Sequence, residues 1–273
     1  VTRLVVNADD FGFDAAIDRG ILKAHREGIV TSASLLVTGR SARVAVQEAR
    51  AQDLALGVHL CLTSSLVPAS NPSTVPSLAP RGRFRKSWME VLGVWMGQQL
   101  DVEEIGAEFR SQVSLARELG AAPDHLDAHQ HLHLLPGVAE VVQAISEEFS
   151  LPVRWPREAP KLDWLFKPGP GFKSLLLSGL SYVLTGPAQK VAGVGLFEAG
   201  GLDEDALFRL LLELPDGDFE LGCHPGSQVE AMPEEPEWKY NWDEELAALC
   251  SPRIRQVVQA RGIHLCTYRE LFP

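Results

Sequence analysis

Val1-Thr2-Arg3-Leu4-Val5-Val6-Asn7-Ala8-Asp9-Asp10-Phe11-Gly12 opens the chain. Its apolar run, Leu4 to Ala8, has the length and composition of a parallel strand buried on both faces, and it ends in two carboxylates. Asp14 then caps a helix that runs to Glu27 and stops at Gly28. Thr31 to Val37 reads as a second strand, Ser41 to Ala51 as a second helix, and Ala55 to Leu60 as a third strand ending at His59. Strand, helix, strand, helix, strand at this spacing predicts a parallel α/β fold with right-handed crossovers.

The pattern continues outward from there. Ser64 to Arg85 is rich in Pro, Ser, Asn and Gly and reads as a long loop, a length usually kept for function. Helices are predicted over Ser87 to Gln98 and Val102 to Leu119, the second closed by Gly120, and another begins at Pro136, which a first helical turn tolerates. Pro152 to Trp155 reads as a strand. Val191 to Phe197 and Phe219 to Cys223 follow as strands around a helix from Asp203 to Glu213. Asn241 to Ala260 is helical and Ile263 to Cys266 is a last strand. Glu158 to Pro187 is punctuated by Pro and Gly and takes no assignment. With no internal repeat, the expected architecture is one α/β domain over residues 1–273, a distorted TIM-barrel-like (β/α) barrel.

The formal charge of −11 and a pI near 5.2 argue against a nucleic acid or an anionic membrane surface as the main partner, and favour a neutral or cationic small substrate. Cys61, Cys223, Cys250 and Cys266 lie far apart and read as buried thiols rather than a zinc knuckle or disulfide framework. The start of the chain goes straight into a strand, and its most apolar later stretch, Leu175 to Leu184, is too short to span a bilayer. A cytoplasmic protein without an integral membrane segment is expected.

His125-Leu126-Asp127-Ala128-His129-Gln130-His131-Leu132-His133 carries four of the eight histidines and one aspartate at alternate positions. In an extended segment these side chains share one face while Leu126, Ala128 and Leu132 pack on the other. Imidazole and carboxylate suit Zn, Fe, Ni or Mn, and carboxylate with water suits Mg. One strand offers at most two or three adjacent donors to an ion, so a carboxylate from elsewhere is required. In parallel α/β folds the site lies at the carboxyl ends of the strands. Asp9, Asp10, His59, Asp127, His129, Arg154 to Arg157 and His224 all fall there. The plainer readings are that Asp10 or Asp14 caps the next helix and that His59 is a core histidine. His224, before the turn-forming Pro225-Gly226, is held at the mouth, where an imidazole serves readily as a proton donor.

Asn7-Ala8-Asp9-Asp10-Phe11-Gly12, Gly57-Val58-His59-Leu60, the histidine stretch from His125 to His133 and Cys223-His224-Pro225-Gly226 together resemble the YdjC/ChbG-like carbohydrate deacetylase family. The resemblance implies a barrel-like fold, one divalent metal ion (Mg or Zn) on Asp10, His59 and His129, and hydrolysis of the amide C–N bond of an N-acetylated amino sugar. It also implies Asp9 as general base and His224 as acid. Leu214 to Gly217 and Leu249 to Pro252 look like the hopanoid-biosynthesis-associated branch, which adds an acetylated glycolipid to chitin-like oligosaccharides as a substrate class.

On that picture Arg154 or Arg157 orients Asp9, and His125 and Asp127 brace the ligands by hydrogen bonds. His131 and His133 contact substrate or are structural, and Trp88, Trp95, Trp155 and Trp164 are candidates to stack on a sugar. The resemblance and the large apolar fraction also lead to the expectation of a homodimer. Two rival readings are a metal-dependent phosphoesterase, which needs ligands for two or three ions and a basic pocket, and a catalytically silent sugar-binding barrel.

Overall fold

The computed structural model describes residues 1–158, 179–181, 183, 191–196, 198–229 and 240–273. Alternation along β1 (Thr2–Phe11) divides the molecule. Leu4, Val6 and Ala8 face outward into the main hydrophobic core, whereas Val5 joins a separate small cluster with Val191, Cys266, Tyr268 and Leu271. Asn7 and Asp9 continue the row of Val5, so the inner row of β1 turns polar toward its carboxyl end.

Around β1 stand β2 (Ser32–Leu35), β3 (Ala55–Leu60), β4 (Leu126–Ala128), β5 (Ala192–Val194), β6 (Gly217–Cys223) and β7 (His264–Leu265). Among the described residues every strand pairing is parallel, in the order β4-β3-β2-β1-β6-β5, with β7 beside the start of β1. The extended segment 152–157 joins the two outer strands. Its Val153 bridges Leu126 of β4, the Arg154 amide donates to the Leu126 carbonyl at 2.8 Å, and the Gly193 amide of β5 donates to the Arg157 carbonyl at 2.7 Å. A Cβ on Gly193 would sit 3.2 to 3.4 Å from the Arg157 backbone, a tight contact, so the close approach there favours glycine. The sheet thus curls into a distorted (β/α) barrel.

Helices α1 (Ala15–Glu27), α2 (Ala42–Ala51), α3 (Trp88–Met96), α4 (Val102–Glu118), α5 (Val138–Phe149), α6 (Glu204–Glu213), α7 (Trp242–Cys250), α8 (Pro252–Ala260) and the single turn α9 (Tyr268–Leu271) connect and cover the strands. Asp14 caps α1, its carboxylate accepting from the Ala16 amide at 2.8 Å, so the capping reading belongs to Asp14 and not to Asp10. No described helix is long and apolar enough to cross a membrane.

Several expected boundaries move. The strand over Thr31 to Val37 contracts to Ser32–Leu35. The helix placed at Pro136 begins at Val138, after Gly137 at φ 83°, a left-handed conformation that ends the preceding turn. Pro152 to Trp155 makes one bridge rather than a strand. The helix over Asn241 to Ala260 breaks at Ser251, because Pro252 cannot donate the bond that would continue it. Of Glu158 to Pro187, which the sequence left unassigned, residues 159–178, 182 and 184–187 lie outside the described residues, as do Trp164 and Phe197.

Candidate active site

A bulge at the end of β1 sets the site. Between Ala8 and Phe11 three steps of β1 oppose two of β2, and Asp10 takes φ 68°, a left-handed backbone rare for a non-glycine residue. In a regular strand neighbouring side chains oppose each other, but the extra residue here brings both Asp9 and Asp10 into the buried polar cluster at the strand ends.

Asp10 faces two imidazoles. Its Oδ1 lies 2.9 Å from Nδ1 of His129 and 3.5 Å from Nε2 of His59, and those nitrogens are 3.4 Å apart. All three residues are buried. The register of β3 on β4 sets His59 beside Asp127, whose Oδ1 is 2.7 Å from His59 Nδ1. A carboxylate only accepts, so Nδ1 carries a proton and Nε2 points to the common centre. On the other imidazole, His129 Nε2 meets Ser64 Oγ at 3.1 Å, which leaves Nδ1 aimed at Asp10.

Asp10 Oδ1 is buried and forms no hydrogen bond of normal geometry. Acceptor atoms this close require a cation between them, a proton or a metal. Ligands about 2.0 to 2.1 Å from a tetrahedral ion lie about 3.3 to 3.4 Å from each other, close to the spacing found here. The donor set therefore fits one divalent ion. Without an ion, protons take its place: burial works to lower the His59 pKa, but Asp127, Asp9 and Asp10 outweigh it and raise the value to about 10. Burial acts in the opposite sense on Asp10, yet His129 and His59 hold its carboxyl well below the usual range.

Arg154 anchors the acidic side. Its Nη1 and Nη2 donate to the two oxygens of Asp9 at 2.7 and 2.6 Å, Nη2 lies 3.0 Å from Asp127, and Nη1 donates to Glu220 at 3.1 Å. Three buried carboxyl groups, Asp9, Asp127 and Glu220, thus share one guanidinium, and a fourth, Asp10, lies in the same cluster on the two imidazoles. That imbalance of charge again favours a bound cation. Asp9, His59 and Asp127 form a second cluster of metal-ligating type. Its carboxylates are already committed to Arg154 and to His59 Nδ1, however, so the two or three ions expected of a phosphoesterase find no second free donor set among the described residues.

A sequence profile of YdjC-like proteins matches residues 3–260. The chain belongs to the YdjC-like family. It is similar to the carbohydrate deacetylase of Brevibacillus brevis, 30% identical over 275 residues that cover 98% of this chain and 99% of that one. The carbohydrate deacetylase of Mus musculus is 32% identical, covering 98% and 94%, and the chitooligosaccharide deacetylase of Klebsiella pneumoniae 30%, covering 98% of each. A solved Enterococcus faecalis structure, of a protein put forward as a cellobiose-phosphate cleavage protein, superposes with a TM-score of 0.74 at 25% identity, covering 99% of this chain and 98% of that one.

In this YdjC-like chain Asp9, Asp10, His59, Asp127, His129 and Arg154 come together as a single cluster. His224 lies beside it, Nε2 4.0 Å from Asp9 Oδ2, because Cys223 pairs with Ala8 across β6 and β1. It is Arg154 that grips Asp9, while Arg157 lines a small pocket with Asp9, His131, Arg154, Glu220 and His224.

The even alternation expected through His133 ends early. Beyond Ala128 the chain turns into a 3-10 segment with Gln130 and His131 at positive φ. His131 lines the pocket. His133 is instead fully buried against Trp155, its Nε2 3.1 Å from the Arg154 carbonyl, and burial and Arg154 lower its pKa to about 3. His133 and Trp155 thus pack on each other out of reach of solvent, and Trp95 donates to the Pro136 carbonyl on a separate apolar groove.

His125 acts one step removed. Its Nε2 is 3.2 Å from Ser34 Oγ, which donates to Asp127 at 2.5 Å, while its ring stacks on Tyr268 with centroids 3.8 Å apart.

Several site residues escaped the sequence reading. Ser34, Ser64 and Asn7, whose amide donates to Asp9 at 2.9 Å, are too common a residue type to signal anything alone. Glu220 is the strand neighbour of Val5, and only the inward row of β6 marks it. Tyr240 packs on the His224 ring at 4.4 Å, and Glu245 accepts from the His224 amide at 2.6 Å. Both come from the segment after β6, whose approach no local pattern reveals.

Proposed function

We propose that this chain, acting as a single domain over residues 1–273, is a metal-dependent hydrolase that removes N-acetyl groups from amino sugars, chitooligosaccharide-like or glycolipid-linked. The observation that carries the reading is the convergence of Asp10, His59 and His129 beside a carboxylate held by arginine and a rim histidine. The deacetylases among its relatives support the same chemistry.

Asp10, His59 and His129 would hold the divalent ion, which when bound would supply Lewis acidity toward water and toward charge on the acetyl oxygen. Asp9 takes the proton of the attacking water. Its two oxygens sit in the fork of Arg154, which fixes the plane of the carboxylate and balances its charge. His224, steadied by Tyr240 and by Glu245 on its backbone, gives a proton to the departing nitrogen as the C–N bond breaks. Asp127 holds His59 in the tautomer that leaves its inner nitrogen unprotonated for an ion, and Ser64 holds the His129 ring in the orientation that aims Nδ1 at Asp10.

The test is acetate release from a panel of N-acetylated sugars and glycolipids, before and after chelation and with Mg, Zn, Mn and Co restored. Acetate that depends on metal is the expected result. Phosphate release from phosphorylated sugars without any acetate, or sugar binding by metal-loaded protein with no turnover, would overturn the reading.

A further inference from the structure

The long loop that follows β3 is held by one face of α4. Glu104, Glu108, Ser111 and Gln112 recur along that helix at the three- and four-residue intervals that put side chains on a common face. A polar row of this kind normally meets water. Here Glu108 is 0% exposed and Gln112 1%. The Ser77 amide donates to Glu104 at 2.7 Å, the Ala69 and Ser70 amides to the two oxygens of Glu108 at 2.8 and 2.9 Å, and the Ser70 hydroxyl to Ser111 at 2.9 Å. Gln112 pairs with both backbone groups of Cys61, accepting from the amide at 2.9 Å and donating to the carbonyl at 2.7 Å, and it donates again to Glu108 at 2.8 Å.

A buried carboxylate without a cation beside it is costly unless N–H groups take the cation's place. Among the described residues Glu108 is met by three such donors, two at Oε1 and one at Oε2. Both oxygens must therefore accept, which neither glutamine nor an apolar side chain allows. What the bonds secure is segment 61–70, pinned at Cys61 by Gln112 and at Ala69 and Ser70 by Glu108. Between the pins Ser64 and Ser65 take φ 65° and 51°, consecutive left-handed residues of a kind that persists only where the surroundings over-determine the backbone. Their amides donate to the Lys86 and Arg85 carbonyls, both at 3.3 Å. The turn sets Ser64 Oγ 3.1 Å from His129 Nε2.

We propose that Glu108 is a positioning residue of the metal site. It acts through segment 61–70, which it holds so that Ser64 stays on His129, and not by contact with an ion or a substrate. The inference rests on the proposal that Asp10, His59 and His129 hold an ion.

The test is a titration of the full chain with zinc in competition with a chelating dye. It is run on the parent, Glu108→Gln, Ser64→Ala, the Glu108→Gln/Ser64→Ala double variant and Val113→Ala. Glu108→Gln turns a donor toward a backbone N–H, whereas Val113→Ala costs stability in the same helix without removing a hydrogen bond. Circular dichroism checks folding, and Glu108→Asp, with both acceptor oxygens on a shorter stem, takes the place of a glutamine variant that does not fold. Zinc affinity is expected to fall about tenfold or more in Glu108→Gln and in Ser64→Ala. The double variant binds no more weakly than the weaker of the two, because both act on one linkage, and Val113→Ala binds like the parent. In the metal-free parent the Ala69 and Ser70 amides exchange with deuterium far more slowly than free peptide. A folded Glu108→Gln protein within about twofold of the parent, losses that add in the double variant, or an equal loss in Val113→Ala would each overturn the proposal. So would Ala69 and Ser70 amides that exchange at the free rate. A parent that binds no divalent ion refutes the metal site and this inference with it, whereas a parent and a Glu108→Gln variant that bind zinc equally refute this inference alone.

Discussion

Replacing Arg154 with methionine keeps the aliphatic stem and removes the guanidinium shared by Asp9, Asp127 and Glu220, at 2.6 to 3.1 Å from each. Removing one partner from a buried ion pair costs about 3 to 5 kcal/mol. At about 2 to 4 °C per kcal/mol for a domain of this size, the midpoint of thermal unfolding of the metal-free protein should fall by about 6 to 20 °C at pH 7. Asp127 sets the sign of the pH dependence. Burial pushes its carboxyl up, but Arg154 and His59 outweigh burial and hold it below the ordinary range. Its contribution is therefore present above the unfolded value of about 4 and is lost as the pH falls. The gap between wild type and variant should be widest near neutrality and narrow toward pH 3. Arg154→Lys keeps the charge but not the fork, so it should lose less stability while turnover drops about a hundredfold. Arg157→Met, at a half-buried position, should cost about 1 kcal/mol or less. Urea unfolding at pH 7 and pH 3, with acetate release at pH 7, measures all three. An Arg154→Met protein within about 1 kcal/mol of the parent at pH 7 would refute the counter-charge role.

Asp9→Asn should retain its ion in elemental analysis and lose turnover by about a hundredfold to ten-thousandfold, whereas His129→Ala should lose both ion and acetate release. Ser64→Ala should weaken metal binding about 10- to 100-fold in a competition titration, because the His129 ring is no longer held in place. In the metal-free protein, His59, raised to about 10, contributes stability that is fully present below its unfolded value of about 6.5 and is lost as the pH rises through about 10. Metal must displace that proton, so affinity should strengthen from pH 6 to pH 9, with about one proton released per ion in calorimetry across buffers. Gly57→Ala would put a Cβ 2.2 Å from His125 Cε1 and should cost about 1 to 3 kcal/mol in chemical unfolding.

Much of the site was legible because its candidate ligands end strands, and strand ends can be read from apolar runs. Asp9, Asp10, His59 and His224 each follow such a run, and the parallel order brings them to one rim. The alternation of His125, Asp127 and His129 held because Leu126 and Ala128 are needed in the outer core. It failed at His131 and His133, where the chain leaves β4 for a 3-10 turn that the repeated histidines disguise. The choice between Arg154 and Arg157 was open in sequence because both follow the same extended segment. Arg154 sets its guanidinium on Asp9, and the Arg157 carbonyl accepts from Gly193 of β5.

By itself the sequence determined the parallel α/β class, the strands that carry the candidate ligands, and the kind of chemistry those ligands suit, since all three follow from local periodicity and residue type. Only the tertiary structure decided that a bulge in β1 delivers two adjacent carboxylates to one cluster, that Ser64 and Asp127 fix the imidazoles, and that Glu220, Tyr240 and Glu245 complete the surroundings. Each of these is a contact between residues far apart in the chain. Its energy comes from burial and from the closeness of charges, which no local pattern encodes.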